Sequence, residues 1–434
     1  MKTGLIEKIK DAGVVGAGGA GFPADRKLDC SAGIFIINGI ECEPLLRTDR
    51  HLMEMHASEI VGAAKVLKEH LGAFRTVIAV KKHYEEAVKK MKTAVEGTDI
   101  ELYLSDSFYP AGDEQNLVFC ITGRTVPTGG IPLDVGCVVS NVSTVMNIAN
   151  AMKDIPVTHK DVTVAGCVNN PVTVSCPVGT PLSVLLEAAG GTAGDCRYII
   201  GGPLMGSVTD DLSLPVTKTT GGLLAIPADH RILTMKSLNE RDAHIARAAC
   251  PQCSMCTQMC PRNAMGLNVQ PHKAMRAFGS GNMSLTGDFN GVFSCCDCGA
   301  CTYFACNFGL KPGKVMQNIK QELQKNGIKP VREVKYAADP GAANKRIPVQ
   351  RLLMRLDLER FDKDAPYIGK IKCDHVKIPM KMHIGAPSEP VVRVGMKVNA
   401  GEPIAKPRGL GAVIHASISG EIVSVTEEYV EIKG

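Results

Sequence analysis

The chain carries nine of its 17 cysteines between positions 250 and 306, in two runs, CPQCSMCTQMCP and CCDCGACTYFAC. Nothing else constrains its folding as tightly, because thiols at short fixed spacings have to converge. The first run is Cys250-x2-Cys253-x2-Cys256-x3-Cys260-Pro261. In that spacing three closely placed thiolates hold one face of a 4Fe-4S cube, and the fourth, before the proline, reaches a second cube. By this rule Cys250, Cys253 and Cys256 share one cluster with Cys306, and Cys295, Cys298 and Cys301 share another with Cys260. Two cubes then lie close together, and electrons are expected to pass here.

The second run departs from the rule. Four residues rather than three separate Cys301 from Cys306, and Asn307 stands where a proline is usual. Cys296, adjacent to Cys295 and out of spacing, reads as a buried or supporting thiol. The competing reading of the whole constellation is zinc. Zinc sites combine CxxC pairs and have no need of a third cysteine two residues further on. A disulfide framework does not suit a chain this long without a secretory signal.

At 434 residues the length suggests about three domains, and 45% hydrophobic content allows real cores. The start, MKTGLIEKIKDAG, has no apolar h-region, and no run approaches the length of a membrane span. So many cysteines in such a chain imply a reducing, cytoplasmic setting. The net charge of +5, the absence of tryptophan and an aromatic content of 4% argue against nucleic acid as a partner. The modest basic excess suits a phosphate-bearing cofactor or an acidic partner.

Residues 3 to 13 read as a short amphipathic helix, followed at once by GVVGAGGAGFP. Gly16, Gly18 and Gly21 fit GxGxxG, yet that fingerprint follows a strand, and here a helix precedes it. Five glycines from Gly13 to Gly21 instead describe a backbone that comes close to a phosphate or a flat ring, unless the loop is merely flexible. An apolar strand, IFIIN, then ends in Asn38-Gly-Ile-Glu41-Cys-Glu43-Pro44, with polar residues where α/β sheets place ligand contacts. Alternation continues as helix 50–71, strand 75–80, helix 82–95, strand 99–104 and helix 113–122, and CVVSNVST leads into a helix at about 142–153. This is the pattern of a parallel, helix-covered sheet.

GAGGAGFP with Lys27, NGIECEPLLRTD, YPAGDEQNL and NVST occur in the order and approximate spacing of a known family. They resemble the flavin-bearing subunit of respiratory complex I and its counterpart, RnfC, in the Rnf electron-transport complex. The resemblance implies that Gly16, Gly18, Gly19, Gly21 and Lys27 contact FMN. It implies further that Asn38, Glu41 and Glu43 line the same site and that Asn141 and Thr144 close it. Glu114 looks like the acid that helps seat NADH above the flavin. The chain has Ile40, Cys42 and a single Asp-Glu pair where complex I is more acidic, which bears on NADH affinity more than on flavin binding.

From about 157 to 228 short strands and turns surround one helix at 180–189, resembling the β-grasp (SLBB) module of both relatives. It is expected to be a spacer between the flavin and iron-sulfur domains. The cysteines at 30, 42, 120, 137, 167, 176 and 196 fall in apolar contexts and read as small core residues. Between the cysteine runs, His272 and Arg276 share one helical face, either solvated or placed to tune a cluster or dock an acceptor. Residues 320 to 376 are charged and irregular and are expected to pack as a connector. From 377 to the end an all-β pattern resembles the barrel-sandwich hybrid of lipoyl and biotinyl domains, but RGLGAVIH has no carrier lysine at the hairpin tip. That module is expected to be structural.

The expected architecture is therefore multidomain. It comprises an α/β FMN- and NADH-binding domain at 1–155, a β-grasp domain at 156–235 and a helical ferredoxin-like domain with two 4Fe-4S clusters at 236–328. A connector at 329–376 and a barrel-sandwich hybrid at 377–434 complete it. The C-terminal place of the last module, the four-residue gap and QPHKAMRA most resemble the cobalamin reductases of propanediol-utilising microcompartments. The resemblance implies electron flow from NADH through FMN and the two clusters to a corrinoid, with no general acid or base. The alternative is an adaptor that feeds a partner reductase, Rnf-like or linked to an amino-acid reductase, and has no small-molecule substrate of its own. Encapsulation in a microcompartment fits either.

Overall fold

The computed structural model describes residues 2–434, with side chains from Gly4 onward. Strands Ile100–Ser105, Arg75–Lys81, Ile34–Asn38 and Cys137–Asn141 form one parallel sheet in that order. IFIIN is apolar at consecutive positions because both sheet faces are covered. Phe35 and Ile37 pack with helices Ala57–Leu71 and Val142–Met152, whereas Ile34 and Ile36 pack with Leu117 and Val118 of helix Glu114–Thr122. The expected helix over 50–71 is two, Thr48–Met55 and Ala57–Leu71, parted at His56, whose backbone lies outside helical geometry (φ −126°). The central strands end side by side, with Asn38 opposite Asn141. That carboxyl edge is where such sheets bind ligands.

The next module is a six-stranded mixed sheet in which His159–Gly166 lies between Val172–Pro177 and Gly222–Pro227. Helix Leu182–Ala188 packs on it through Leu182 and Leu185. Its outer strand, Tyr367–Lys370, comes from the stretch expected to be an irregular connector. Ile347–Pro348, from the same stretch, pairs with Phe108–Tyr109 of the flavin-like domain. Strands of two and four residues are too short to show periodicity in sequence, and the sheets they join lie far away along the chain.

Helices Glu240–Ala249, Pro271–Ser280 and Pro312–Lys325 share a core of Ala246, Met275, Val315 and Ile319 and carry the two cysteine runs between them. Residues Cys301–Ala305 form a single π turn, in which Cys306 N donates to Cys301 O at 3.1 Å. The fourth residue of the gap is thus absorbed as a π bulge. The C-terminal module is a sandwich of a four-stranded and a three-stranded antiparallel sheet around Ile378, Ile404, Ile422 and Val430. Among the described residues no helix is long and apolar enough to cross a membrane.

Candidate flavin cavity and thiol clusters

A cavity of about 620 Å³ opens at the carboxyl edge of the parallel sheet. Gly16, Gly18, Gly19, Gly21, Lys27, Asn38, Glu41, Glu43, Glu114, Asn141 and Thr144 all line it. The glycine loop is a tongue closed at its base, with Gly16 N donating to Phe22 O at 2.9 Å. A Cβ at Gly18 would stand 2.8 Å from the Asn141 side chain, and Gly21 has φ +76°. Both positions therefore need glycine. A Cβ at Gly19 would meet nothing within 4 Å, so its absence leaves room in the cavity itself. Thr144 Oγ1 accepts from Ala17 N at 2.9 Å and anchors the tongue to the sheet.

The two asparagines shape the loops around them. Asn38 Nδ2 donates to Gly112 O at 3.0 Å, and Asn141 Oδ1 accepts from Ser143 N at 2.9 Å, capping helix Val142–Met152. Asn141 Nδ2 also donates to buried Asp49 at 2.7 Å. Lys27 Nζ stands 3.3 Å from Glu114 Oε1, so these two side chains are already paired. Glu41 Oε1 accepts from Thr48 Oγ1 at 2.7 Å. Burial, with Asp49 nearby, pushes its pKa up to about 7. Glu43 reaches out of the flavin-like domain, and its carboxylate accepts from Leu204 N at 2.8 Å and Met205 N at 2.9 Å.

That last contact changes the role of the second module. Expected to be a spacer, it forms part of the cavity wall through Gly201, Gly202, Met205 and Lys160. Lys160, 8% exposed, extends its Nζ to Ala17 O at 3.2 Å, inside the glycine tongue. Neither Lys160 nor the GGPLMG loop stands out in the sequence, because a lone lysine on a strand and a glycine-rich turn acquire meaning only once Glu43 and Ala17 are opposite them.

The thiols fall into two groups. Cys250, Cys253, Cys256 and Cys306 line one crevice. Burial pushes the Cys256 pKa up to about 12, and the nearby sulfurs of Cys306, Cys250 and Cys253 add to the rise. In the other group burial raises Cys295 and Cys301, and Cys260 adds to both. Cys298 is raised first by its hydrogen bond with Cys296, then by burial and by Cys260. Four soft donors that disfavour one another's thiolates suit a cationic iron-sulfur core. Cys256 is also among the neighbours of Cys301, so the groups adjoin.

The second group abuts the cavity, whose wall includes Cys296 and Cys298. Tyr109 Oη donates to Cys298 O at 2.6 Å from the flavin-like domain. Arg262, two residues after Cys260 and 6% exposed, donates through Nη2 to Asp113 Oδ1 at 2.7 Å and also meets Gln115. The Cys296 sulfur lies beside the same guanidinium. Asp113 in turn accepts from Asn116 N at 3.0 Å, capping the helix that carries Glu114. Of the other cysteines, Cys137 and Cys176 are buried as expected of core residues, whereas Cys30, Cys42, Cys120, Cys167 and Cys196 are only half-buried. His272 Nδ1 lies 2.7 Å from Thr257 Oγ1 beside the first thiol group, and Arg276 donates to Leu285 O at 3.1 Å.

Comparison with known proteins agrees with this geometry. Residues 9–150 match the Nuo51 FMN-binding domain, 249–311 a 4Fe-4S dicluster domain and 364–433 the RnfC barrel sandwich hybrid domain. The chain is 37% identical to Cobalamin reductase PduS of Salmonella typhimurium over 434 residues, covering 99% of this chain and 96% of that protein. It is 32% identical over 264 residues to a component of the proton-translocating ferredoxin:NAD(+) oxidoreductase complex of Clostridium ljungdahlii, covering 59% of this chain and 55% of that one. An NAD+-reducing [NiFe]-hydrogenase structure in the air-oxidized state shares the fold at 19% identity and a TM-score of 0.50, over 81% of this chain and 67% of that one. The chain belongs to the Nuo51/RnfC family with a 4Fe-4S dicluster, alongside the PduS proteins, and is a flavo-iron-sulfur electron-transfer oxidoreductase.

Proposed function

We propose that the chain takes electrons from NADH at an FMN held in the cavity, passes them through two 4Fe-4S clusters, and delivers them to a corrinoid. The observation that carries this reading is the shared wall: Cys296 and Cys298 of the second thiol group line the same cavity as the glycine tongue. FMN, when bound, exchanges electrons in pairs with a nicotinamide and singly with a cube, the division of labour this arrangement needs.

In this reading Gly16, Gly18, Gly19 and Gly21 let the backbone approach the flavin, and Lys27 and Lys160 supply positive charge in the cavity. Asn38, Asn141, Glu41, Glu43 and Thr144 hold the loops around it. Glu114 faces the nucleotide. Cys250, Cys253, Cys256 and Cys306 hold one cube, and Cys260, Cys295, Cys298 and Cys301 hold the other. The module at 156–235 is read as a β-grasp that completes the cavity. The corrinoid assignment rests on the full-length likeness to a cobalamin reductase. A cytoplasmic site, inside a microcompartment or outside one, agrees with it.

One observation favours an adaptor without its own nicotinamide site. Glu114 is paired with Lys27 and Glu43 with two backbone amides, so neither carboxylate is idle in the cavity. The test is NADH-dependent reduction of aquacobalamin by the reconstituted protein under argon. Turnover establishes the reductase; a protein whose flavin and clusters are bleached by dithionite but not by NADH, and which turns over no aquacobalamin, is the adaptor.

A further inference from the structure

We infer that the corrinoid docks over the first thiol group, against Phe308 and Met255, and takes its electrons there rather than in the flavin cavity. The inference rests on the corrinoid reading above. The two thiol groups differ in access: Cys260, Cys298 and Cys301 are buried, whereas Cys253 is exposed. Electrons entering at the cavity meet the buried group first, through Cys296 and Cys298. They come to the surface at the exposed group, leaving the cavity to the electron donor.

The crevice at Cys253 has a rim suited to a flat, apolar-faced molecule. Met255, within the first cysteine run, is 37% exposed, and Phe308, just after the second, is 53% exposed. Scattered apolar side chains on a surface mean little, but these two flank the thiol that reaches solvent. No carboxylate lines the crevice among the described residues. At its edge Arg355 Nη2 donates to Cys306 O at 2.9 Å and to Asn307 Oδ1 at 3.0 Å. A corrinoid offers a broad macrocycle for the two side chains and one phosphodiester for a guanidinium, which binds phosphate well.

The redox balance is simple. One NADH becomes NAD+ and a proton and supplies two electrons, and each corrinoid takes one as its cobalt goes from Co(III) to Co(II). Two corrinoids are therefore reduced per NADH, and no covalent bond to the protein forms.

The test uses the full-length holoprotein and the exposed-site variants Phe308→Asp and Met255→Glu. Reduction of aquacobalamin by NADH is expected to fall at least tenfold in each, while NADH–ferricyanide reduction, which draws on the flavin cavity, stays within twofold. Hydrogen exchange of the wild type with aquacobalamin added, and no NADH, is expected to slow at 252–256 and 306–309. An undiminished aquacobalamin rate in both variants, or protection at 200–207 instead, overturns the docking surface and leaves the reductase reading intact. A wild type that NADH reduces fully but that passes nothing to aquacobalamin overturns the reductase reading, and the docking surface with it.

Discussion

Gly18 and Gly19 are neighbours in one loop, yet different partners hold them to glycine. At Gly18 the obstacle is protein, the Asn141 side chain; at Gly19 there is only cavity. Gly19→Val is therefore expected to fold with the melting temperature of the flavin-free wild type and to lose FMN, with affinity down at least tenfold by fluorescence titration. Full flavin content in that variant would give the loop another job. The glycine tongue is legible in sequence because close backbone approach has few other solutions. Lys160 and the partners of Glu43 are not, since their meaning depends on residues more than a hundred positions away. His415 is equally hidden: burial, with the Lys218 charge nearby, pushes its pKa down to about 4. The unfolded chain takes up that proton near pH 6.5 and the folded chain refuses it until near 4, so stability falls as pH drops through this window. The loss should approach about 3 kcal/mol. Denaturation of His415→Gln and wild type between pH 7 and 4 checks it, because the variant should lack this part of the decline.

Among the elements, the π turn Cys301–Ala305 is the most informative. The sequence has a gap one residue too long, which puts Cys306 in question. The structure puts the surplus into an i to i+5 hydrogen bond and brings Cys306 into the crevice with Cys250, Cys253 and Cys256. Deleting Phe304 would restore the ordinary spacing but rotate Cys306 away from its group. Iron analysis of the deletion should show about half the wild-type content, with flavin retained; full iron would mean that Cys306 is dispensable. The long helices and the IFIIN strand are readable from periodicity, and the break at His56 is not. Tyr367–Lys370 escapes a sequence reading for a simpler reason, since a four-residue edge strand takes its identity from Val172–Pro177 beside it.

Across the whole molecule the modules are interlocked rather than strung together. Lys218, on the second module and 3% exposed, donates from Nζ to Gly13 O at 2.6 Å and Val413 O at 2.9 Å, tying the glycine tongue's base to the C-terminal sandwich. Arg262 makes the comparable tie between the cysteine domain and Asp113 at the cavity wall. Arg262→Met would leave half-buried Asp113 without its partner and should cost about 1–3 kcal/mol, read by chemical denaturation, and slow reduction of the clusters relative to the flavin. Module order is legible in sequence; the convergence of these modules on one cavity is not, because each contact joins segments that local patterning treats as independent.

In this scheme the cavity and the thiol groups form one conduit for electrons. Anaerobic titration of the reconstituted protein with NADH, following flavin and iron-sulfur absorbance together, tests it most directly. The expected result is joint bleaching of both chromophores at stoichiometric NADH. Flavin that bleaches while the clusters stay oxidised, in a protein whose clusters dithionite reduces, would contradict it.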